Sequence, residues 1–355
     1  MTRQIKELYK EYPNPNEDQE IDAIWQEIAA RQKIAKESSE KVNRGFNSKT
    51  SGAFIGYLDI LDNAAPYNVG LFGTVATYKV LIRFGGGSSK ILTDENKKDP
   101  CGISLKVIDA PSEKITKDDA GLDSQNFVFL NTNAMFVPNL SEFHRLMGYQ
   151  MSGNKLGVLF YCLNPFGGHR FGHRISQFRN IMSLCGQRLG NDLSAMRYWS
   201  TTPYAFGAKA CKYKLVPQPT NTKNNVPLQI TGFDFLRENI ETIIQDHDLN
   251  FDFQIQLQRD AEAQPIEIAS VVWDETKAPL ETVAKLRIPK QESNTELFEL
   301  ADELSFDPWT SAEEHRPLGG LNRARRKIYS LSYRNRKQPS DPLKRQRLLE
   351  LFPAE

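Results

Sequence analysis

The sequence lacks the features that would assign it to a membrane-spanning or nucleic-acid-binding class. No apolar run approaches the roughly 18 residues needed to cross a bilayer, and residues 1–6 lack the apolar core of a signal peptide. The 45 Lys and Arg residues nearly balance the 44 Asp and Glu residues, so the net charge of +1 leaves no basic excess for phosphate binding. We therefore expect a cytoplasmic protein with no integral membrane segment and no nucleic-acid partner.

Short motifs for metal, redox or nucleotide chemistry are also missing. The glycine run at 85–87 is not followed by the Lys-Ser/Thr of a P-loop, which disfavours a phosphate cradle. His169 and His173 have the spacing of a helical metal pair, but the neighbouring glycines and the missing Glu of a His-Glu-x-x-His pattern favour loop histidines. No Cys-x-x-Cys pair is present, which favours buried thiols in a reducing cytosol. The cysteines are Cys101, Cys162, Cys185 and Cys211.

The hydrophobic periodicity that is present predicts an α+β fold. An amphipathic helix is predicted over 17–41, and alternation of apolar and polar residues predicts a strand over 251–257. Several strands separated by loops suggest a closed antiparallel sheet. The other predicted strands are 53–59, 77–84 and 103–108, the other predicted helices are 156–163, 175–189, 233–246 and 297–304, and a surface loop is predicted over 216–226.

The most informative segment is a basic run at 322–329, which reads Asn-Arg-Ala-Arg-Arg-Lys-Ile-Tyr. If the run is helical, Arg325 and Tyr329 lie four residues apart on one face, with the guanidinium beside the phenol oxygen. A permanent cation there favours the phenolate of a tyrosine whose ordinary pKa is about 10. Tyrosinate is a ligand for ferric haem iron. The alternative is a solvated basic helix with a buried tyrosine, and an anionic partner for the basic segment 323–347 also stays open.

Several motifs together resemble the catalase superfamily. Arg325-x-x-x-Tyr329, with Arg336 seven residues later, has the spacing of the catalase proximal motif. The segments 306–309 and 314–322 are similar to the approach to that helix in the small catalase-related haem proteins. That subgroup includes mini-catalase peroxidases and allene oxide synthases. The segments 253–258 and 270–275 are similar to its sheet strands, and the resemblance extends over 44–336.

The resemblance implies an architecture and a cofactor. The expected fold is a closed antiparallel eight-stranded β-barrel with helices packed around it and ferric haem b buried inside, with Tyr329 as the metal ligand. The implied divisions are an N-terminal helical arm at 1–43, a haem-binding core at 44–336 and a basic C-terminal tail at 337–355. Arg44, Arg83 and Arg336 stand at the positions of propionate-binding arginines in the family. Arginine suits this role because its guanidinium fork pairs well with a carboxylate. The implied cofactor-binding residues are Arg44, Phe46, Arg83, Arg325, Tyr329 and Arg336.

The distal side departs from the catalase pattern. Catalases have Arg-x-x-His ahead of the barrel, and here Arg44 is followed by Asn47 in the histidine position. Histidine can accept the proton of a bound hydroperoxide and return it, whereas an asparagine amide only forms hydrogen bonds. Asn131 falls where relatives have a distal asparagine, and Gly85 replaces a serine, which removes a hydroxyl from the expected pocket. The implied catalytic residues are Asn47, Asn131 and Arg325.

The loss of the distal base favours one branch of the family's chemistry. The resemblance implies an enzyme that rearranges organic or fatty-acid hydroperoxides, of the isomerase or dehydratase type, without an external reductant. The alternatives are a catalase or peroxidase that decomposes hydrogen peroxide or alkyl hydroperoxides, and a non-catalytic haem-binding or sensing protein. The expected partner is a small-molecule hydroperoxide. A homo-oligomer and a lipid-oxidising enzyme that supplies the substrate are left open as further partners.

Overall fold

The computed structural model describes residues 7–38, 42–88, 91–95, 99–117, 121–166, 171–186, 192–223, 226–336 and 344–353. Its helices and strands follow one another in the order expected of an α+β protein. The helices are α1 (Glu17–Glu37), α2 (Leu140–Met151), α3 (Lys155–Leu163), α4 (His173–Gly186), α5 (Phe235–Asp246), α6 (Thr295–Glu303), α7 (Gly320–Arg336) and α8 (Lys344–Glu350). The strands are β1 (Thr50–Ile60), β2 (Thr77–Gly86), β3 (Cys101–Val107), β4 (Gln125–Leu130), β5 (Tyr198–Trp199), β6 (Tyr204–Phe206), β7 (Lys209–Pro217), β8 (Leu249–Leu257) and β9 (Leu280–Ile288).

The strands form a closed antiparallel barrel. Their order is β5-β4-β3-β2-β1-β9-β8-β7-β6, and an additional pairing of β5 with β7 closes the sheet. The closing strand β5 pairs Trp199 with both Leu130 of β4 and Lys214 of β7. Since β5 and β6 share one edge of β7, the barrel has eight strand positions, which confirms the predicted architecture.

The barrel interior is filled with side chains. Alternation along each strand directs every second residue inwards, as with Ile82 and Phe84 of β2. Aromatic rings meet at the centre, where Phe253 lies 5.2 Å from Phe127 and 5.3 Å from Phe72 between ring centroids. The expected buried cofactor therefore has its space outside the barrel wall, under the surrounding helices, and not in the interior.

Helix α1 packs against α7 and does not stand apart from the core. Ile24 and Ile28 of α1 share a hydrophobic cluster with Leu321 and Ile328 of α7. The predicted start of α1 at residue 17 agrees with the structure, and the helix ends at Glu37 instead of residue 41. The segment 1–43, expected as an arm, thus contributes to the core through this helix.

An ionic cluster fixes the beginning of α7. The Arg323 guanidinium bonds the carboxylates of Glu11, Glu17 and Glu267. Burial acts to lower the pKa of Arg323, but the hydrogen bonds to Glu17 and Glu267 hold it above its usual range. Glu267 Oε2 also accepts from the Gly320 backbone at 2.9 Å. The helix that carries Tyr329 is therefore tied to α1 and to the loop after β8.

One sequence expectation needs correction. The segment 270–275 is not a strand. The Trp273 carbonyl accepts from the Gln256 side chain at 3.2 Å instead of joining a ladder, and the Asp274 side chain accepts from the Thr276 backbone in a turn. The described part of the basic C-terminal segment packs on the core. Helix α8 buries Leu348 against the α6 region, and Lys344 pairs with Glu303 at 3.1 Å.

Among the described helices, none has both the length and the apolar character required to span a bilayer.

Candidate functional site

Five of the six sequence-predicted cofactor residues lie along a cavity between the outer face of the barrel and α7, and the sixth, Arg325, lines an adjoining space. In the barrel wall Arg83 of β2 pairs with Ser104 of β3, and Ser104 pairs with Val128 of β4. These residues alternate with interior ones, so the three lie on the outer face. The cavity has about 530 Å³ of empty space, which includes the part open to solvent. Its other walls come from the segment before β1 and from α7, namely Arg44, Gly45, Phe46, Asn47, Ile328, Tyr329, Ser332 and Arg336, with Ser305 and Phe306 beside them.

A second cavity of about 660 Å³ adjoins the first. Phe46, Asn47, Ile328 and Tyr329 line both spaces. We call these two adjoining cavities the slot, which has a cationic end in the first cavity and an apolar end in the second. Apart from the shared residues and Arg325, the second space is lined by Ile24, Gly87, Leu130, Met135, Leu140, Phe143, Leu321 and Ala324.

The cationic end concentrates positive charge in a buried place. Burial holds the pKa of Arg83 well below its usual range, and the neighbouring charges of Arg44 and Arg336 act in the same direction. The opposing carboxylate is Asp302, which pairs with Arg44 at 3.1 Å. Among the described residues at this end, three guanidinium groups lie near the Asp302 carboxylate. Guanidinium groups pair well with the carboxylates of a ligand.

Hydrogen bonds to the backbone fix two of these arginines. Arg83 donates from Nη2 to the Asn47 carbonyl at 2.9 Å and from Nε to Thr50 Oγ1 at 3.0 Å. Arg44 donates from Nη2 to the Leu304 carbonyl at 2.8 Å. The guanidinium groups are thus held in place by the barrel wall and by the segment after α6.

Arg325 and Tyr329 lie one turn apart on α7, as the basic run predicted, and both line the second cavity. Arg325 Nη1 donates to Asn322 Oδ1 at 2.8 Å and to Thr202 Oγ1 at 3.1 Å. Within the described residues the guanidinium makes no hydrogen bond to the phenol of Tyr329. Stabilisation of a Tyr329 phenolate by Arg325 therefore stays a prediction.

Asn47 lies between the two cavities in a left-handed backbone conformation. Its φ is +54°, a region that asparagine tolerates better than most residues. The Asn47 carbonyl accepts from Arg83, and its backbone N–H donates to Gly87. No described residue hydrogen-bonds its side-chain amide, so that group is available to a ligand in the slot.

Asn131 is held in another way. It is only 5% exposed, and its Oδ1 accepts from the Cys101 backbone at 2.9 Å. Its Nδ2 lies 3.8 Å from the sulfur of Met196. Leu130, and not Asn131, reaches the lining of the second cavity. The structure places Asn131 at a junction between β3 and β4, and its catalytic role stays a prediction.

The glycine in the expected serine position has a steric cause. A Cβ on Gly85 would lie 2.3 Å from the Lys49 carbonyl, a distance that no side chain tolerates without a backbone shift. Close approach of the chain at 49 therefore requires glycine here.

The described residues that line the slot fit a haem group. None of them is His, Asp, Glu or Cys, so the phenol of Tyr329 is the one anion-forming oxygen that matches a ferric iron. The arginines suit two propionates, and the apolar end suits the rest of a macrocycle.

Sequence reasoning missed Ser104 and Val128 as wall residues, although alternation in β3 and β4 places both opposite the interior residues.

The fold is shared with catalases of known structure. Catalase A from Saccharomyces cerevisiae is 18% identical with a TM-score of 0.66, over 86% of this chain and 63% of that one. A fungal catalase is 19% identical with a TM-score of 0.63, over 86% of this chain and 62% of that one. A bacterial catalase is 16% identical with a TM-score of 0.60, over 87% and 60%. The chain thus spans about three fifths of the length of these catalases.

No protein-family model matches the sequence. No curated protein matches it either.

Proposed function

We propose that the protein binds ferric haem b in the slot and transforms organic hydroperoxides, chiefly by rearrangement of fatty-acid hydroperoxides. The observation that carries the proposal is Asn47, whose unbonded amide lies in a slot where no described lining residue can act as a carboxylate or imidazole base. The catalase fold supports the wider assignment to hydroperoxide chemistry.

The chain offers a distinct group for each part of the cofactor. Tyr329 would ligate the iron, and Arg325 would favour its phenolate from one turn away. Arg44, Arg83 and Arg336 would bind the propionates, and Phe46 would contact the macrocycle. Ferric haem supplies an iron that binds a hydroperoxide and polarises its O–O bond.

Asn47 determines which reaction the chain can assist. Its amide can donate to a peroxide oxygen or accept from the O–H, and so can orient the substrate. It cannot remove the proton and return it to the leaving oxygen. Such proton transfer typically raises the reaction rate about 100- to 10,000-fold. Decomposition of hydrogen peroxide needs that transfer. Isomerisation retains every atom of the hydroperoxide, dehydration releases one water, and neither consumes a reductant.

The apolar end of the slot favours an organic substrate. Burial of a chain contributes roughly 0.8 kcal/mol for each CH₂ removed from water, and hydrogen peroxide has no such group. Leu140 and Phe143 are among the residues that would provide apolar surface. A fatty-acid hydroperoxide would in turn require a lipid-oxidising enzyme as its source.

The catalase fold itself favours a second candidate, in which water or Asn131 substitutes weakly for a base in peroxide reduction. Haem-loaded protein should be incubated with hydrogen peroxide, a short alkyl hydroperoxide and fatty-acid hydroperoxides, with and without an electron donor. The proposal predicts that fatty-acid hydroperoxides are consumed fastest without donor, to epoxide, epoxy-alcohol or carbonyl products. Donor-dependent formation of the simple alcohol as the sole organic reaction would establish the peroxidase.

A further inference from the structure

Helix α3 presents an apolar face to solvent. Leu156, Leu159, Phe160 and Leu163 recur at the spacing of one helix face, and all four are exposed, Phe160 by 71%. The opposite face packs inwards through Tyr161 and Cys162. Two phenylalanines beyond the end of the helix continue this face. We use the name apolar surface for six residues, Leu156, Leu159, Phe160, Leu163, Phe166 and Phe171.

The two phenylalanines beyond the helix extend this face. Phe166 is 83% exposed and Phe171 is 75% exposed, and their rings contact each other edge to face at 5.5 Å. Isolated exposed apolar residues are normal on protein surfaces, but a contiguous group of this size marks an interaction site.

Among Asp, Glu, Lys and Arg, only the basic residues occur in the sequence around the apolar surface. Between residues 143 and 191 there is no Asp or Glu, although the whole chain carries almost equal numbers of both charges. The same segment contains six Arg and Lys residues. Arg145, Lys155 and Arg179 are described and exposed, and Arg145 pairs with Glu142 at 3.2 Å. Arg174 is buried and pairs with the same Glu142. The remaining two, Arg170 and Arg188, lie outside the described residues.

We propose that the apolar surface docks on a bilayer that contains anionic phospholipid. Exposed Leu and Phe side chains would enter the boundary between head groups and acyl chains, and the basic segment would be attracted to the negative surface. The positive charge of the basic segment favours an anionic membrane over a second copy of the chain as the occupant. A second copy that paired through the same surface would bring two basic segments together, which like-charge repulsion opposes. The proposal does not depend on haem binding.

The test is co-sedimentation of the full chain with phosphatidylcholine vesicles, with and without phosphatidylserine. The double variant Leu156→Gln/Phe160→Gln should weaken binding to the anionic vesicles at least about tenfold, because it removes two inserted apolar groups. Ile230→Gln is the matched control, since Ile230 and Leu156 are both 67% exposed. Lys155→Gln should weaken binding about fivefold, and added salt should weaken it further.

All variants replace exposed side chains, and circular dichroism checks that each is folded. Binding that requires phosphatidylserine, falls in the double variant and survives Ile230→Gln would support the proposal. Absence of vesicle binding, or equal binding by the double variant, would overturn it. Self-association in solution that the double variant abolishes, without vesicle binding, would instead identify a second copy as the occupant and would also overturn it.

Discussion

At Asn47 a rare backbone conformation coincides with an available amide. The left-handed φ of +54° is tolerated by asparagine, aspartate and histidine more readily than by other residues with a Cβ. The backbone at this position therefore admits the histidine of the catalase pattern. The backbone conformation therefore does not explain the missing histidine, and the position is suited to a gain-of-function test.

Asn47→His should raise oxygen release from hydrogen peroxide by haem-loaded protein, because imidazole supplies the missing proton transfer. Full proton-transfer assistance raises a reaction rate about 100- to 10,000-fold, and an increase one tenth as large would still be easily measured. Asn47→Gln is the control, since it keeps an amide and adds no base. A histidine variant that retains haem and gains no activity would show that position 47 does not contact the peroxide.

Lys212 shows how burial changes a single charge. Burial lowers the pKa of its amine to about 7, although Nζ donates to the Val271 carbonyl at 3.2 Å and lies 5.1 Å from the centre of the Trp273 ring. The unfolded amine binds its proton up to about pH 10.5. The unfolded state thus holds more protons between these values, and stability rises with pH across that window.

Lys212→Met should therefore stabilise the protein at pH 7 by up to about 4 kcal/mol, since the pKa falls from 10.5 to about 7 and each unit of pKa shift corresponds to about 1.4 kcal/mol. The difference from the parent should narrow towards pH 10. Thermal unfolding at several pH values measures both effects. Lys277→Met, at an exposed lysine, should leave the pH dependence unchanged. A Lys212 variant that is less stable at pH 7 would contradict the sign of the shift.

At the scale of elements, local patterns predicted the strands and helices whose burial follows a simple period. The strand predicted over 251–257 became part of β8 because its apolar residues alternate cleanly. Strand β7 was missed because it carries Lys212 and Lys214, which look solvent-facing in the sequence. They are covered by the 270–275 segment, where Lys214 pairs with Glu275 at 2.7 Å. That contact joins distant parts of the chain and has no local signal.

The site shows the same division between local and distant information. The catalase resemblance grouped Arg44, Arg83, Tyr329 and Arg336, and the structure brings all four to one cavity. The hydrogen bond that holds Asn131 comes from Cys101, thirty residues away in the neighbouring strand. No spacing within 127–132 reveals it. The binding roles themselves remain predictions.

Glu11 anchors α7 through Arg316 and Arg323, and its replacement tests the importance of that anchor. Burial acts to raise the pKa of Glu11, but the bonds from Arg316 and from the Gly319 backbone hold it below its usual value. Its contribution to stability is therefore present above about pH 4.5 and is lost as the pH falls through the lower folded-state value.

Glu11→Gln should reduce the free energy of unfolding at pH 7 by about 1 to 3 kcal/mol, and the difference should shrink in acid. Denaturant unfolding at pH 7 and at pH 3 measures it. Glu313→Gln is a control, because Glu313 pairs with the same Arg316 at 3.1 Å but is largely exposed. That change should cost less than about 1 kcal/mol. Equal losses of the free energy of unfolding in the two variants would contradict a special role of Glu11.

At the scale of the whole molecule, a filled barrel serves as a rigid wall for a slot that the helices complete. Arg83 and Ser104 are presented by strands whose other face is packed with aromatic residues. Tyr329 is presented by a helix tied at its start by the carboxylates around Arg323. The two sides are thus held independently, which suits a site that must keep a ligand oxygen at a fixed position.

The most direct test of the account is haem binding by Tyr329→Phe. The substitution removes the phenol oxygen that we propose as the iron ligand and keeps the ring. Tyr333→Phe, on the same helix and similarly half-buried, is the matched control. Ferric haem titration followed by absorption and electron paramagnetic resonance should give one haem per chain in the parent and in Tyr333→Phe. In Tyr329→Phe we predict loss or strong weakening of haem retention, or a changed ferric spectrum. Unchanged haem content and an unchanged spectrum in that variant would contradict the account.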